Sequence, residues 1–119
     1  MKSFFKRIKQ FFKFKYQHIT KGFSDQETWN LDANIAKYIL PRLKRFKEIN
    51  NGHPVEVSAK EWDIILDKMI NSFEFHIQIF VDQDDDDLNT MPKNAQKRKW
   101  EEYNEGLLLF AKYYKHLWW

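Results

Sequence analysis

The stretch that decides the fold is residues 58–80, SAKEWDIILDKMINSFEFHIQIF. Ser58 and Glu61 have the spacing of a capping box, which starts a helix. Apolar residues then recur every three or four positions, which predicts a long helix with one buried face. These residues are Trp62, Ile65, Leu66, Met69, Ile70, Phe73, Ile77 and Phe80. Residues 75–81 also alternate and contain β-branched side chains, so both helix and strand remain open for them.

Three other segments have the same helical period. Residues 3–20 place Phe and Ile on one side and mostly Lys on the other, and Gly22 ends this helix. A capping-box pair, Ser24 and Glu27, predicts a helical turn from Asp25, and Asp32 is a second N-cap candidate.

A further helix, the main helix, is predicted from about Asp32 to Phe46, and the last helix follows Pro92. The inner face of the main helix consists of Leu31, Ile35, Ile39, Leu43 and Phe46. Pro41 is expected to kink or split the main helix.

Only 3 Gly and 3 Pro interrupt the 119 residues, which favours long helices over short strands. The sequence therefore predicts an all-α protein, a compact bundle of three to four helices with a basic amphipathic helix at the N-terminus. The predicted organisation is a basic, aromatic helix over 1–22 and a single helical domain over 23–119. Five acids between residues 82 and 87 predict a solvated acidic loop over 82–90.

Several chemistries are excluded or disfavoured. The chain has no Cys, which removes disulfides, zinc-thiolate sites and a thiol nucleophile. The acidic run resembles the start of a calcium loop, but Asp87 stands where Gly is needed and Lys93 where a bidentate Glu is needed. The four His residues are far apart, and no nucleophile or phosphate-binding motif occurs. We therefore expect no metal, no cofactor and no catalytic residue, and the protein is not predicted to be an enzyme.

Charge is unevenly distributed along the chain. The formal net charge is +3, yet residues 1–22 contain seven bases and no acid. As a polyanion or membrane contact, this segment would use Lys2, Lys6, Arg7, Lys9 and Lys13. Three interpretations are open: the first helix of the bundle, an interfacial helix on a membrane, or a helix on a nucleic-acid backbone.

A second basic cluster lies around Pro41. It is either a solvated helix face or a patch that binds phosphates or carboxylates. Two tryptophans at the C-terminus either fold back over the core or anchor a partner. The candidate binding residues are Trp29, Lys37, Arg42, Lys44, Arg45, Lys47, Trp118 and Trp119.

Several strings resemble those of a family of small, uncharacterised proteins encoded by tailed bacteriophages. The strings are Trp29-Asn30-Leu31-Asp32, Ile39-Leu40-Pro41-Arg42-Leu43-Lys44-Arg45-Phe46-Lys47-Glu48, Glu61-Trp62-Asp63 and Leu117-Trp118-Trp119. The resemblance covers most of residues 22–119. It implies a phage origin and action in the cytoplasm of the infected host. The alternative location, the inner face of the host membrane, belongs to the interpretation of residues 1–20 as a membrane-docking segment. The resemblance implies no catalytic or binding residue.

The leading functional hypothesis is a non-catalytic phage accessory protein that binds a host macromolecule, either to redirect a host factor or to block a defence system. A host protein is the expected partner. The first alternative is a nucleic-acid or nucleotide-binding protein that uses its basic clusters. The second alternative is a peripheral membrane protein docked by residues 1–20.

Overall fold

The computed structural model describes residues 2–118, and over this range the chain is helical with no strand. The all-α prediction is confirmed. The elements are α1 (Lys2–Lys21), α2 (Gln26–Trp29), α3 (Leu31–Ile49), α4 (Ala59–His76), a π-helical segment (Ile77–Val81), α5 (Asp86–Thr90), α6 (Lys93–Tyr113) and a 3₁₀ turn (Tyr114–His116). Four of these helices, α1, α3, α4 and α6, are long.

The chain divides into two compact units, the first ending at Asn34 and the second beginning at Ile35. The boundary predicted at residue 22 therefore lies within the first unit. Gly22 does end α1, with a φ of 82° that suits glycine. The first unit extends farther along the chain because the segment after Gly22 folds back onto α1.

Contacts between α1 and the segment that follows it hold the first unit together. The Gln17 amide donates to Asp25 Oδ2 at 2.7 Å, and its carbonyl oxygen accepts from the Asp25 backbone N–H at 2.7 Å. The Phe14 ring meets Trp29 edge-on, with ring centroids 5.3 Å apart. These contacts attach α2 to the side of α1 that carries Phe14 and Gln17.

Helices α4 and α6 pack antiparallel in the second unit. Trp62 meets Tyr113 near one end of the pair and Phe75 meets Trp100 near the other. Gly106 permits a very close approach, because a Cβ there would overlap the Ser72 hydroxyl and the Lys68 carbonyl. The buried core consists of Ala36, Leu43, Trp62, Leu66, Met69, Ile70, Phe73 and Tyr113.

Pro41 does not split α3, which is continuous from Leu31 to Ile49. Proline lacks the N–H that would complete the helical turn. The missing N–H leaves the Lys37 carbonyl without its helical donor, and Arg42 Nη1 donates to the neighbouring Tyr38 carbonyl instead, at 2.9 Å. The N-cap predicted at Asp32 is wrong, because α3 begins one residue earlier and places Asp32 in its first turn.

The second unit also contains the predicted capping box, the segment 75–81 and the acidic segment 82–90. The Ser58 hydroxyl accepts from the Glu61 N–H at 3.1 Å, as the capping box predicts. Residues 75–81 are helical, with a π-helical segment from Ile77. The loop predicted over 82–90 is partly wrong, because Asp86–Thr90 forms α5. Leu88 is buried, and the first-turn acids of α5 interact favourably with the helix dipole.

Candidate functional site

The most prominent surface feature of the first unit is the apolar face of α1. We use this name for Phe4, Phe5, Ile8, Phe11, Phe12 and Ile19, which share one side of the helix. All six side chains are exposed, Phe12 to 65% and Ile19 to 81%. Large apolar surfaces of this kind mark sites of interaction with a protein, a membrane or a ligand.

The apolar face is open because α2 attaches elsewhere on α1. Phe14, which departs from the apolar pattern, contacts Trp29, and Gln17 binds Asp25. Both residues lie outside the apolar face by helical spacing. The first unit thus uses the polar side of α1 for its own packing and leaves the aromatic side exposed.

The predicted polyanion or membrane contacts, Lys2, Lys6, Arg7, Lys9 and Lys13, lie on the remaining surface of α1 or at the margins of its apolar face, and all are exposed. Lys13 Nζ is 3.8 Å from Asp25 Oδ2. Lys15 falls within the apolar face, and its Nζ lies 5.3 Å from the centroid of the Phe11 ring. Its stem can therefore cover aromatic surface while the ammonium group makes a cation–π contact.

A groove of about 410 Å³ lies between α1 and the segment that follows Gly22. Its lining consists of Phe11, Phe14, Lys15, His18, Ile19, Ser24 and Gln26. This groove could not be predicted from the sequence, because Ser24 and Gln26 are held beside α1 by the hydrogen bonds between Gln17 and Asp25. The aromatic Phe14 on the polar side was the one available signal of a partner there.

Most of the bases predicted as an anion patch on α3 are paired with carboxylates. Lys44 Nζ is 2.9 Å from Glu74 Oε1, and Arg45 Nη1 is 3.0 Å from Glu48 Oε2. Lys47 Nζ is 2.6 Å from Asp67 Oδ1, and this hydrogen bond raises the pKa of Lys47, with smaller contributions from the charges of Asp67 and Asp63. The patch is therefore largely neutralised.

The other two bases of the predicted α3 patch are Lys37 and Arg42. Neither has a carboxylate partner within residues 2–118. The Arg42 guanidinium lies 3.8 Å from the centroid of the Tyr38 ring, and Tyr38 is exposed. Trp29 is also exposed, while its ring contacts Phe14.

At the C-terminal end of the described chain, Trp118 is 74% exposed and does not cover the core. It lines a cavity of about 420 Å³ together with the segment from Ile49 to Pro54 and His116. His53 Nδ1 donates to the Pro54 carbonyl at 2.9 Å, and His116 Nε2 is 3.7 Å from Glu56 Oε1. Because His53 and His116 are distant in sequence, their position at one cavity could not be predicted from the sequence. Trp119 lies outside the described residues.

Within residues 2–118 no group of three or more His, Asp or Glu side chains is arranged to hold a metal ion. None of the helices in this range has the length and apolar character needed to cross a membrane.

Comparisons with protein-family models, curated proteins and solved structures find no match to this chain. The apolar face of α1 presents four exposed Phe rings on a helix whose other surface is basic.

Proposed function

We propose that this chain is a peripheral binding protein that attaches to an anionic lipid surface through α1. The observation that carries the proposal is the exposure of the six side chains of the apolar face on a helix whose other surface is basic. This combination is typical of helices that lie in the plane of a membrane interface. In an infected host, the setting that the resemblance to phage proteins implies, this attachment would place the protein at the inner face of the membrane.

The arrangement of aromatic and basic residues favours lipid over nucleic acid. Proteins that bind single-stranded nucleic acid place aromatic side chains, which stack on the nucleobases, in the same groove as Lys and Arg side chains, which contact the phosphates. On α1 most residues of the two kinds are instead segregated, with Phe12 on one side and Lys6 and Lys13 on the other. The exceptions are Lys15, which lies beside Phe11, and Phe14, which contacts Trp29. A lipid interface accepts this geometry, because rings enter the acyl boundary while lysines reach the headgroups.

The proposal is tested with matched substitutions in the full chain. Phe12→Gln removes one ring from the apolar face, and Leu108→Gln changes a residue of α6 that is 71% exposed. Binding to vesicles of phosphatidylglycerol and phosphatidylethanolamine is measured by co-sedimentation. Burial of a Phe side chain contributes about 1.5–3 kcal/mol, so Phe12→Gln should weaken partitioning by roughly 10-fold or more.

The control variant, Leu108→Gln, distinguishes a specific effect of α1 from a general loss of exposed apolar surface. Leu108→Gln should leave partitioning unchanged, and circular dichroism should show the same helix content in all three proteins. Equal partitioning of wild type and Phe12→Gln would overturn the proposal. So would binding to a nucleic-acid oligomer with no binding to vesicles.

A second function, binding of a host macromolecule by α3, is favoured by the stacked and exposed Arg42 and Tyr38 side chains. The test is Arg42→Glu combined with Arg45→Glu, assayed for capture of a defined host protein after nuclease treatment of the lysate. Loss of capture with preserved vesicle binding would assign host binding to α3. Unchanged capture and infection phenotypes would exclude this surface.

A further inference from the structure

We infer that the groove between α1 and residues 22–26 binds the headgroup of a single anionic phospholipid. The inference rests on the proposed attachment of α1 to a membrane and gives that attachment a specific ligand. The groove volume of about 410 Å³ lies within the roughly 300–1,000 Å³ of small-molecule sites.

The position of the groove suits a molecule with an apolar and a polar part. The five α1 residues that line it follow the spacing of one helix face, residues 11, 14, 15, 18 and 19. Phe11 and Ile19 also belong to the apolar face, so the groove opens at the edge of the surface that would enter the lipid. An acyl chain resting on the apolar face would leave its headgroup beside Lys15 and His18.

Ser24 supplies an unused hydrogen-bonding group at this place. It is only 5% exposed, it lines the groove, and its hydroxyl makes no hydrogen bond within the described residues. The capping box predicted for Ser24 is half formed: the Glu27 carboxylate accepts from the Ser24 N–H at 2.7 Å, but the Glu27 N–H donates to the Ser24 carbonyl oxygen. The Ser24 Oγ atom itself retains contact with solvent, so it can donate a hydrogen bond to a ligand acceptor in the groove.

Charge indicates that the acceptor is a phosphate. Lys15 carries a positive charge at the groove, and the Gln26 amide adds a donor. The nearby Asp25 carboxylate is already held by Gln17 and lies close to Lys13. Residues up to Asn34 contain seven bases and three acids, which attracts an anion to this unit.

The test uses the full chain with dihexanoyl phosphatidylglycerol below its critical micelle concentration, so that no lipid surface is present. We expect saturable chemical-shift changes at Ser24 and His18, and weaker binding of dihexanoyl phosphatidylcholine, which has no net charge. Ser24→Ala and His18→Ala should each lower the affinity by about 10-fold, as expected for loss of a hydrogen bond to a charged group. Gln10→Ala, an exposed position of α1 outside the groove, should have no effect.

The outcomes separate this inference from the proposed function. Absence of saturable binding, or equal affinity of wild type and Ser24→Ala, would overturn the groove as a headgroup site even if Phe12→Gln still weakens vesicle binding. A stronger response to hexanoate than to the phospholipid would also overturn it, because the site would then recognise a free fatty acid. Saturable binding that requires Ser24 and His18 would support it.

Discussion

Gly106 permits the close packing of α4 against α6. A Cβ at this position would overlap the Ser72 hydroxyl and the Lys68 backbone carbonyl, and the backbone cannot move independently of α4. Gly106→Ala should therefore destabilise the second unit by roughly 1–3 kcal/mol, even though alanine favours a helix by about 1 kcal/mol. The measurement is the free energy of unfolding from urea denaturation.

Gly52→Ala is the matched control. A Cβ at Gly52 meets only the Asn50 side-chain oxygen, at an ordinary 3.5 Å. This variant should retain the wild-type unfolding midpoint. If Gly106→Ala instead proved as stable as wild type, the close helix approach would be wrong.

The Lys47–Asp67 pair predicts a pH dependence of stability. The hydrogen bond to Asp67 raises the pKa of Lys47 above its ordinary value, although partial burial opposes the shift. A raised pKa in the folded state stabilises the fold below the unfolded-state pKa, about 10.4 for lysine. This contribution is lost as the pH rises through the higher, folded-state pKa. Because both side chains are partly exposed, it amounts to less than about 1 kcal/mol.

The comparison of wild type with Lys47→Met isolates this contribution from other titrating groups. The difference in unfolding free energy between them should be present at pH 7 and shrink as the pH is raised above about 10.4. A difference that stays constant over this range would show that packing of the Lys47 stem, and not its charge, stabilises the fold.

At the residue scale, the face of a helix on which a side chain lies could be predicted from the sequence, but its contacts with other elements could not. The sides of α1 were predictable because helical spacing alone assigns Phe12 and Lys6 to opposite faces. The role of Phe14 was not predictable, because it depends on Trp29, which lies beyond the turn at Gly22. The neutralisation of Lys44 likewise depends on Glu74 of another helix.

At the scale of elements, the π-helical segment ends in an unfavourable backbone conformation. Gln83 has a φ of 53°, while the Asp84 N–H donates to the Gln78 carbonyl at 2.9 Å and closes the segment. A left-handed conformation costs a residue with a Cβ about 1–2 kcal/mol relative to glycine.

Gln83→Gly should therefore raise the thermal midpoint, because glycine adopts this conformation without strain. The greater entropy of glycine in the unfolded chain offsets part of this gain, which leaves a net stabilisation of up to about 1 kcal/mol. Gln10→Gly is the control, because Gln10 lies within α1 and glycine there should destabilise the helix. A lower midpoint for Gln83→Gly would show that the glutamine side chain contributes more than the strain costs.

Elements with strong local signals were predictable, and those that depend on burial were not. The Ser58–Glu61 capping box determines the start of α4 from four consecutive residues. By contrast, α5 forms where five acids predicted a loop, because Leu88 is buried and this requires the tertiary structure. Alternation in residues 75–81 left both helix and strand open, and in the structure the π-helical segment follows directly from α4.

At the scale of the whole molecule, charge is divided between the two units. Residues up to Asn34 contain seven bases and three acids, for a formal charge of +4, whereas residues from Ile35 onward contain thirteen bases and fourteen acids, for a charge of −1. Attraction to an anionic membrane should therefore depend on where a base lies and not on the net charge of +3 alone.

Two double variants with the same net charge test this point. Lys6→Gln with Lys9→Gln removes two exposed bases from α1, and Lys93→Gln with Arg98→Gln removes two exposed bases from α6. Each base near an anionic surface contributes about 1 kcal/mol, so the α1 variant should lose roughly 30-fold in partitioning onto phosphatidylglycerol vesicles at low salt. The α6 variant should bind as wild type does, and added salt should reduce the difference between the two, because it screens exposed charges. Equal losses would indicate that net charge alone governs binding and that α1 is not the attachment site.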